Sequence, residues 1–90
     1  MKQYEWDNEK REINLKKHEI DFVGAIKIFE DLDRIEFVSH RKGEERFQTI
    51  GMVHGVIISL IYTVRKDEKR IISARRASKH ERETYYEKNA

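Results

Sequence analysis

The chain has 90 residues, no cysteine and a net charge of +2, although 40% of its residues are charged. That length makes residues 1–90 one small domain, and the lack of cysteine excludes disulfides and thiolate metal sites. The longest apolar run, VIISLIY at 56–62, is too short to cross a bilayer, and MKQYEWDNEKRE lacks the apolar core of a signal peptide, so a cytoplasmic protein is expected.

In chain order, Tyr4 and Trp6 alternate as in a short edge strand. Asp7 is a candidate N-cap for a helix NEKREINLKKH. A second helix is expected after Asp21, where Phe22, Ala25, Ile26 and Phe29 mark one helical face. From residue 34 the period becomes two: Ile35, Phe37 and Ser39 alternate with Glu36, Val38 and His40. RKGEE reads as a turn, ERFQTIGM as a strand, GMVHG as a link, VIISLIYTVR as the most apolar strand, RKDEK as a reversal and RIISAR as the last strand. Ser78, with Glu81 three residues on, makes a capping box that opens a final helix. The order predicts an α+β fold: two N-terminal helices and a C-terminal helix on a small antiparallel sheet.

Charge is unevenly spread. Residues 65–82 hold eight Lys/Arg against three Asp/Glu, whereas residues 1–64 hold ten against twelve. A local basic field on a nearly neutral chain suits contact with a polyanion, although a solvated face has the same composition. In the apolar strand, Val56, Ile58, Leu60, Tyr62 and Val64 should meet the helices, leaving Ile57, Ser59, Ile61, Thr63 and Arg65 on the other face. Strict alternation puts Arg46 and Gln48 with Ile50, and Ser73 and Arg75 with Ile71. Should pairing join these sets, Arg46, Arg65 and Arg75 share one open side; a slip of one residue would reverse the assignment.

WDNEK at 6–10, Asn14, KH at 17–18 with Asp21 and Phe22, GEERFQTIG at 43–51, YTVR at 62–65, and RIISARRASKHER at 70–82 followed by Tyr85 resemble the BrnT family of ribonuclease toxins, in order and across nearly the whole chain. The resemblance implies a RelE-like fold with the helices on one face of the sheet. It also implies RNA cleavage that arrests translation until an antitoxin binds. The implied partner is a BrnA-like ribbon-helix-helix antitoxin, in a heterotetramer that reaches operator DNA through the antitoxin. The family usually reads KHG where this chain has KHE, and a left-handed Glu19 would cost about 1–2 kcal/mol, so the first helix is expected to end differently here.

Metal-free RNA cleavage requires deprotonation of the 2′-hydroxyl, protonation of the leaving oxygen and stabilisation of the phosphorane charge. Arginine suits the last task, so Arg46, Arg65 and Arg75 are the catalytic candidates; the bland alternative is ion pairing to Glu44, Glu45 or Asp67. His54, in a hairpin loop, joins them as a candidate acid–base group, although His18, His40, His80, Tyr62 and Tyr85 stay open. Lys17, His18, Arg70 and Arg76 are expected to contact RNA, with Arg76 on the opposite side of its strand from Arg75. No ligand spacing suggests a metal or cofactor. The alternative readings are a nucleic-acid-binding module without catalysis and a degenerate toxin that acts through its antitoxin complex.

Overall fold

A computed structural model describes residues 3–90, and no helix among them is long and apolar enough to cross a membrane. The fold is α+β, with the element order β1 (Tyr4–Glu5), α1 (Asn8–His18), α2 (Phe22–Ala25), a 3₁₀ turn (Ile26–Glu30), β2 (Ile35–Arg41), β3 (Glu44–Val53), β4 (Val56–Arg65), β5 (Glu68–Arg76) and α3 (Lys79–Lys88).

The expected caps are present. Asp7 accepts from Glu9 N at 2.8 Å to start α1. Asp21 accepts from Val23 N at 3.1 Å to start α2, while Arg11 grips the same carboxylate at 2.7 and 2.9 Å and ties the two helices together. Glu19 corrects one expectation. It adopts the left-handed cap itself, at φ 59°, and donates its N–H to Leu15 O at 2.9 Å, so the helix ends as a glycine would end it.

The second helix also differs from its expected form. It is one α-turn followed by 3₁₀, and its fully buried residues are Phe22, Ala25 and Ile28, spaced by three. Ile26 and Phe29 are half-buried instead. The tighter winding fits because the turn lies directly on the sheet at Gly51, where an added Cβ would come within 2.8 Å of Ile28 Cγ1.

The strands run in the order β1-β5-β4-β3-β2. β2 to β5 form an antiparallel meander closed by Lys42–Gly43, His54–Gly55 and Lys66–Asp67, all at positive φ, the pattern of two-residue type I′ hairpins. β1 joins parallel to β5, so the sheet is five-stranded and mixed rather than small and antiparallel.

The expectation of helices on one face also fails. Phe22, Ala25 and Ile28 pack on Ile58, Leu60, Tyr62, Ile71 and Ala74, whereas Tyr85 of α3 packs with Ile50, Ile57 and Ala77 on the reverse face. α3 covers one end of that reverse face and leaves the other end open. Burying Ile57 and Ile50 requires a cover there, and Ser78 starts α3 beside them, since Ala77 N donates to Ile57 O at 2.9 Å.

Candidate functional site

The observed register brings the arginines together. Ser39 pairs with Arg46, Gln48 with Ile61 and Ile61 with Ser73; Ile50 pairs with Ser59 and Ser59 with Arg75. Directly paired residues share a face, so Arg46, Gln48, Ser73 and Arg75 stand with Arg65 and Arg70 on the face that α3 only partly covers. The inclusion of Ile71 was mistaken. A bulge between Ile61 and Tyr62 on one strand and Ile71 and Ser73 on the other inserts Ile72, which puts Ile71 in the core and Ser73 outside.

Four of these arginines have acidic neighbours; the bland alternative named Glu44, which serves Arg46 and Arg65, but not Glu81 or Glu5, which serve Arg75 and Arg70. Glu44 lies 3.6 Å from Arg46 Nε and 3.5 Å from Arg65 Nη2. Arg70 meets Glu5 at 3.2 Å. Arg75 is held at two points by Glu81, at 2.7 and 2.9 Å. These contacts differ in quality. The Glu81 carboxyl is pulled down to about 2, chiefly by the Arg75 hydrogen bonds, against the opposing effect of burial. By contrast, 3.6 Å is too long for a hydrogen bond, and Arg46 Nε is buried with no hydrogen-bond partner among the described residues.

Between these groups opens a cavity of about 400 Å³ lined by Ser39, Arg41, Arg46, Gln48, Ile72 and Ser73. Gln48 is oriented by its amide, which donates to Ser59 Oγ at 2.9 Å and to Glu81 Oε2 at 2.8 Å. Arg41, Gln48 and Glu81 were not singled out as site residues in the sequence. Two-residue alternation gives Gln48 from Arg46 and Arg41 from Ser39, whereas SKHE marks Glu81 only as a cap.

The other expected site residues lie elsewhere. His54 occupies the β3–β4 turn, eight positions from Arg46, about 25 Å at the rise of an extended strand. It lines a larger cavity of about 690 Å³ whose wall includes Glu30, Asp31 and Asp33, an acidic setting that repels phosphate. Lys17 and His18 end α1, which lies along the outer edge of β5, where Asn14 bonds the backbone of Ala74. Arg76, opposite Ile58, belongs to the other face of the sheet.

The tyrosines are engaged as donors. Tyr62 donates to Glu36 at 2.8 Å and Tyr85 to Asp31 at 2.7 Å; burial first, then the carboxylate, pushes both phenols well above the usual tyrosine range. Among the described residues, no three His, Asp or Glu side chains gather in a metal-ligating group.

Comparison with known proteins adds the family. Residues 6–81 match the family described as "Ribonuclease toxin, BrnT, of type II toxin-antitoxin system". That match spans most of the 90 residues, so the chain belongs to the BrnT toxin family, whose members are ribonuclease toxins of toxin–antitoxin pairs. A search of curated proteins finds no match.

Proposed function

We propose that this BrnT-family chain cleaves RNA on its arginine face, by side-chain chemistry without a metal, and so arrests translation in the cytoplasm. The observation that carries the reading is Arg46: a guanidinium on an open basic face whose buried Nε has no hydrogen-bond partner among the described residues. That Nε is too enclosed to meet a ligand itself, but no acidic group forms a hydrogen-bonded clamp on this guanidinium, and its terminal nitrogens, on a side chain 32% exposed, can donate to phosphate oxygens. Arg65 and Arg41 flank it, and Arg75 extends the field along the sheet.

In this reading Arg46 and Arg65 hold a phosphate and stabilise the phosphorane as the 2′-oxygen attacks phosphorus and the 5′-oxygen leaves as an alcohol, protonated by water. Glu44, between the two arginines, is placed to accept the 2′-hydroxyl proton. Glu81, whose carboxyl sits at about 2, is too weakly basic for that task and holds Arg75 in place. His54 has no part in this centre because of its position.

The partner in this reading is a BrnA-like ribbon-helix-helix antitoxin that covers the basic face, forms a heterotetramer with the toxin and carries it to operator DNA. Purified protein incubated with labelled RNA, with and without EDTA, and beside Arg46→Ala, tests the proposal. Cleavage that survives chelation and disappears in the variant supports it. Intact RNA under both conditions favours the binding-only reading, for which the ion pairs at Arg46, Arg65 and Arg75 already supply an observation.

A further inference from the structure

β2 is an outer strand of the sheet. In a two-residue hairpin the pair flanking the turn exchanges both ladder bonds, and bonding alternates from there. Counting from Lys42–Gly43, the backbone groups of Arg41, Ser39, Phe37 and Ile35 bond β3, and those of Glu36, Val38 and His40 point outward. The same parity holds at the far side of the sheet. Ala77 N bonds Ile57 O at 2.9 Å, and the outward groups of Ala74 are taken by Asn14 at 2.8 and 3.0 Å.

The two edges are treated differently. β5 is shielded by β1 and Asn14. β2 is seven residues long, without proline or bulge, and exposes Val38 (55%) on one face and Phe37 (40%) on the other. An edge of this length without proline or bulge is a template for another strand, and the charges it carries, Glu36, His40 and Arg41, restrict which strand fits.

We propose that β2 pairs antiparallel with β2 of a second copy, about a twofold axis through Val38, to make one continuous sheet. The side chains choose both the register and the occupant. With Val38 opposite Val38 of the second copy, Glu36 falls opposite His40 and Phe37 opposite Ser39, and every outward backbone group of Glu36, Val38 and His40 gains a partner. Sliding the pairing by two residues puts Glu36 opposite Val38 or Lys42 and leaves outward groups unpaired. Glu36 accepts from Thr49 and Tyr62, both at 2.8 Å, through Oε2, so Oε1 remains for the imidazole. His40, already 3.5 Å from its own Glu45, then sits between two carboxylates.

A strand that complements itself under a twofold axis is what an isologous interface requires, and an unrelated strand gains nothing from it. The axis stands perpendicular to the sheet, so both arginine faces point the same way. That consequence for RNA rests on the proposed function; the pairing itself does not.

The test is sedimentation of the full chain from low micromolar to several hundred micromolar, with amide exchange on the same samples. The expected result is a dimer in which the N–H groups of Glu36, Val38 and His40 slow with concentration, while those of Phe37 and Ser39 are slow throughout. Val38→Lys, at an exposed position, sets two like charges on the axis and should weaken dimerisation about tenfold or more. His40→Glu should weaken it as well, and an unchanged thermal melt at low concentration reports that each variant folds. A monomer at every concentration, a dimer indifferent to Val38→Lys, or edge amides protected only when an antitoxin is added would overturn the pairing. RNA cleavage measured in parallel reports on the other proposal separately.

Discussion

Arg75 and Glu81 close a two-point ion pair, 2.7 and 2.9 Å, across the seam where β5 hands the chain to α3. The same carboxylate accepts from Ser78 N at 2.8 Å and from the Gln48 amide at 2.8 Å. One side chain therefore caps α3, fixes Arg75 and joins α3 to β3. A phosphate that approaches Arg75 must share it with Glu81, whereas Arg46 has only the looser contact with Glu44, at 3.6 Å.

The Glu81 pair predicts an acid-side loss of stability. Its carboxyl titrates at about 2 in the folded chain against an ordinary 4.5, so the folded state binds that proton more weakly than the unfolded state. The contribution is complete above 4.5 and disappears as pH falls toward 2. With Arg75 41% exposed, its size is about 2 kcal/mol. Urea denaturation between these pH values should show that loss in the wild type and a flatter curve in Glu81→Gln.

Arg46→Ala should reduce RNA cleavage by about a hundred- to a thousandfold, the usual result of deleting a preorganised donor. Arg65→Ala should reduce it less, since Arg65 is 56% exposed and Arg46 32%. Single-turnover rates at saturating RNA separate this loss from weaker binding; equal effects of the two variants would count against a centre built on Arg46.

Asn14 is buried and bonds both backbone groups of Ala74, at 2.8 and 3.0 Å, as well as Ile20 O at 2.9 Å. It stands in for a neighbouring strand at this part of β5. Asn14→Ala strands those groups and should cost about 2–4 kcal/mol. A change below 1 kcal/mol in chemical denaturation, the net size of a single ordinary bond, would mean that water takes over.

Glu19→Gly should stabilise the chain. Glu19 holds φ 59° at the end of α1. Relief of left-handed strain is worth about 1–2 kcal/mol, part of which is offset by the greater freedom of glycine in the unfolded chain. The expected net gain is about 0.5–1 kcal/mol, read from the thermal midpoint, with no effect on RNA cleavage.

Local patterns carried much of this fold in the sequence. Asp7, Asp21 and Ser78 announced their helices because a cap depends on residues two or three positions away. The apolar face of Val56–Arg65 and the short β-turns were readable for the same reason, as was the family resemblance. Where a sheet face points is a property of pairing, and pairing joins residues distant in the chain. The inserted Ile72 reverses the parity of β5, so strict alternation placed Ile71 beside Arg75 when it belongs to the core. Nothing in SKHE told that Glu81 would clamp Arg75, whereas the eight positions between Arg46 and His54 already place His54 at the far end of its strand. Local pattern sufficed for most elements, their N-caps and the supply of arginines. Which arginines meet, and which is clamped by a carboxylate and which only loosely paired, follows from ladder register and from the face that α3 covers, and both join residues far apart in the chain.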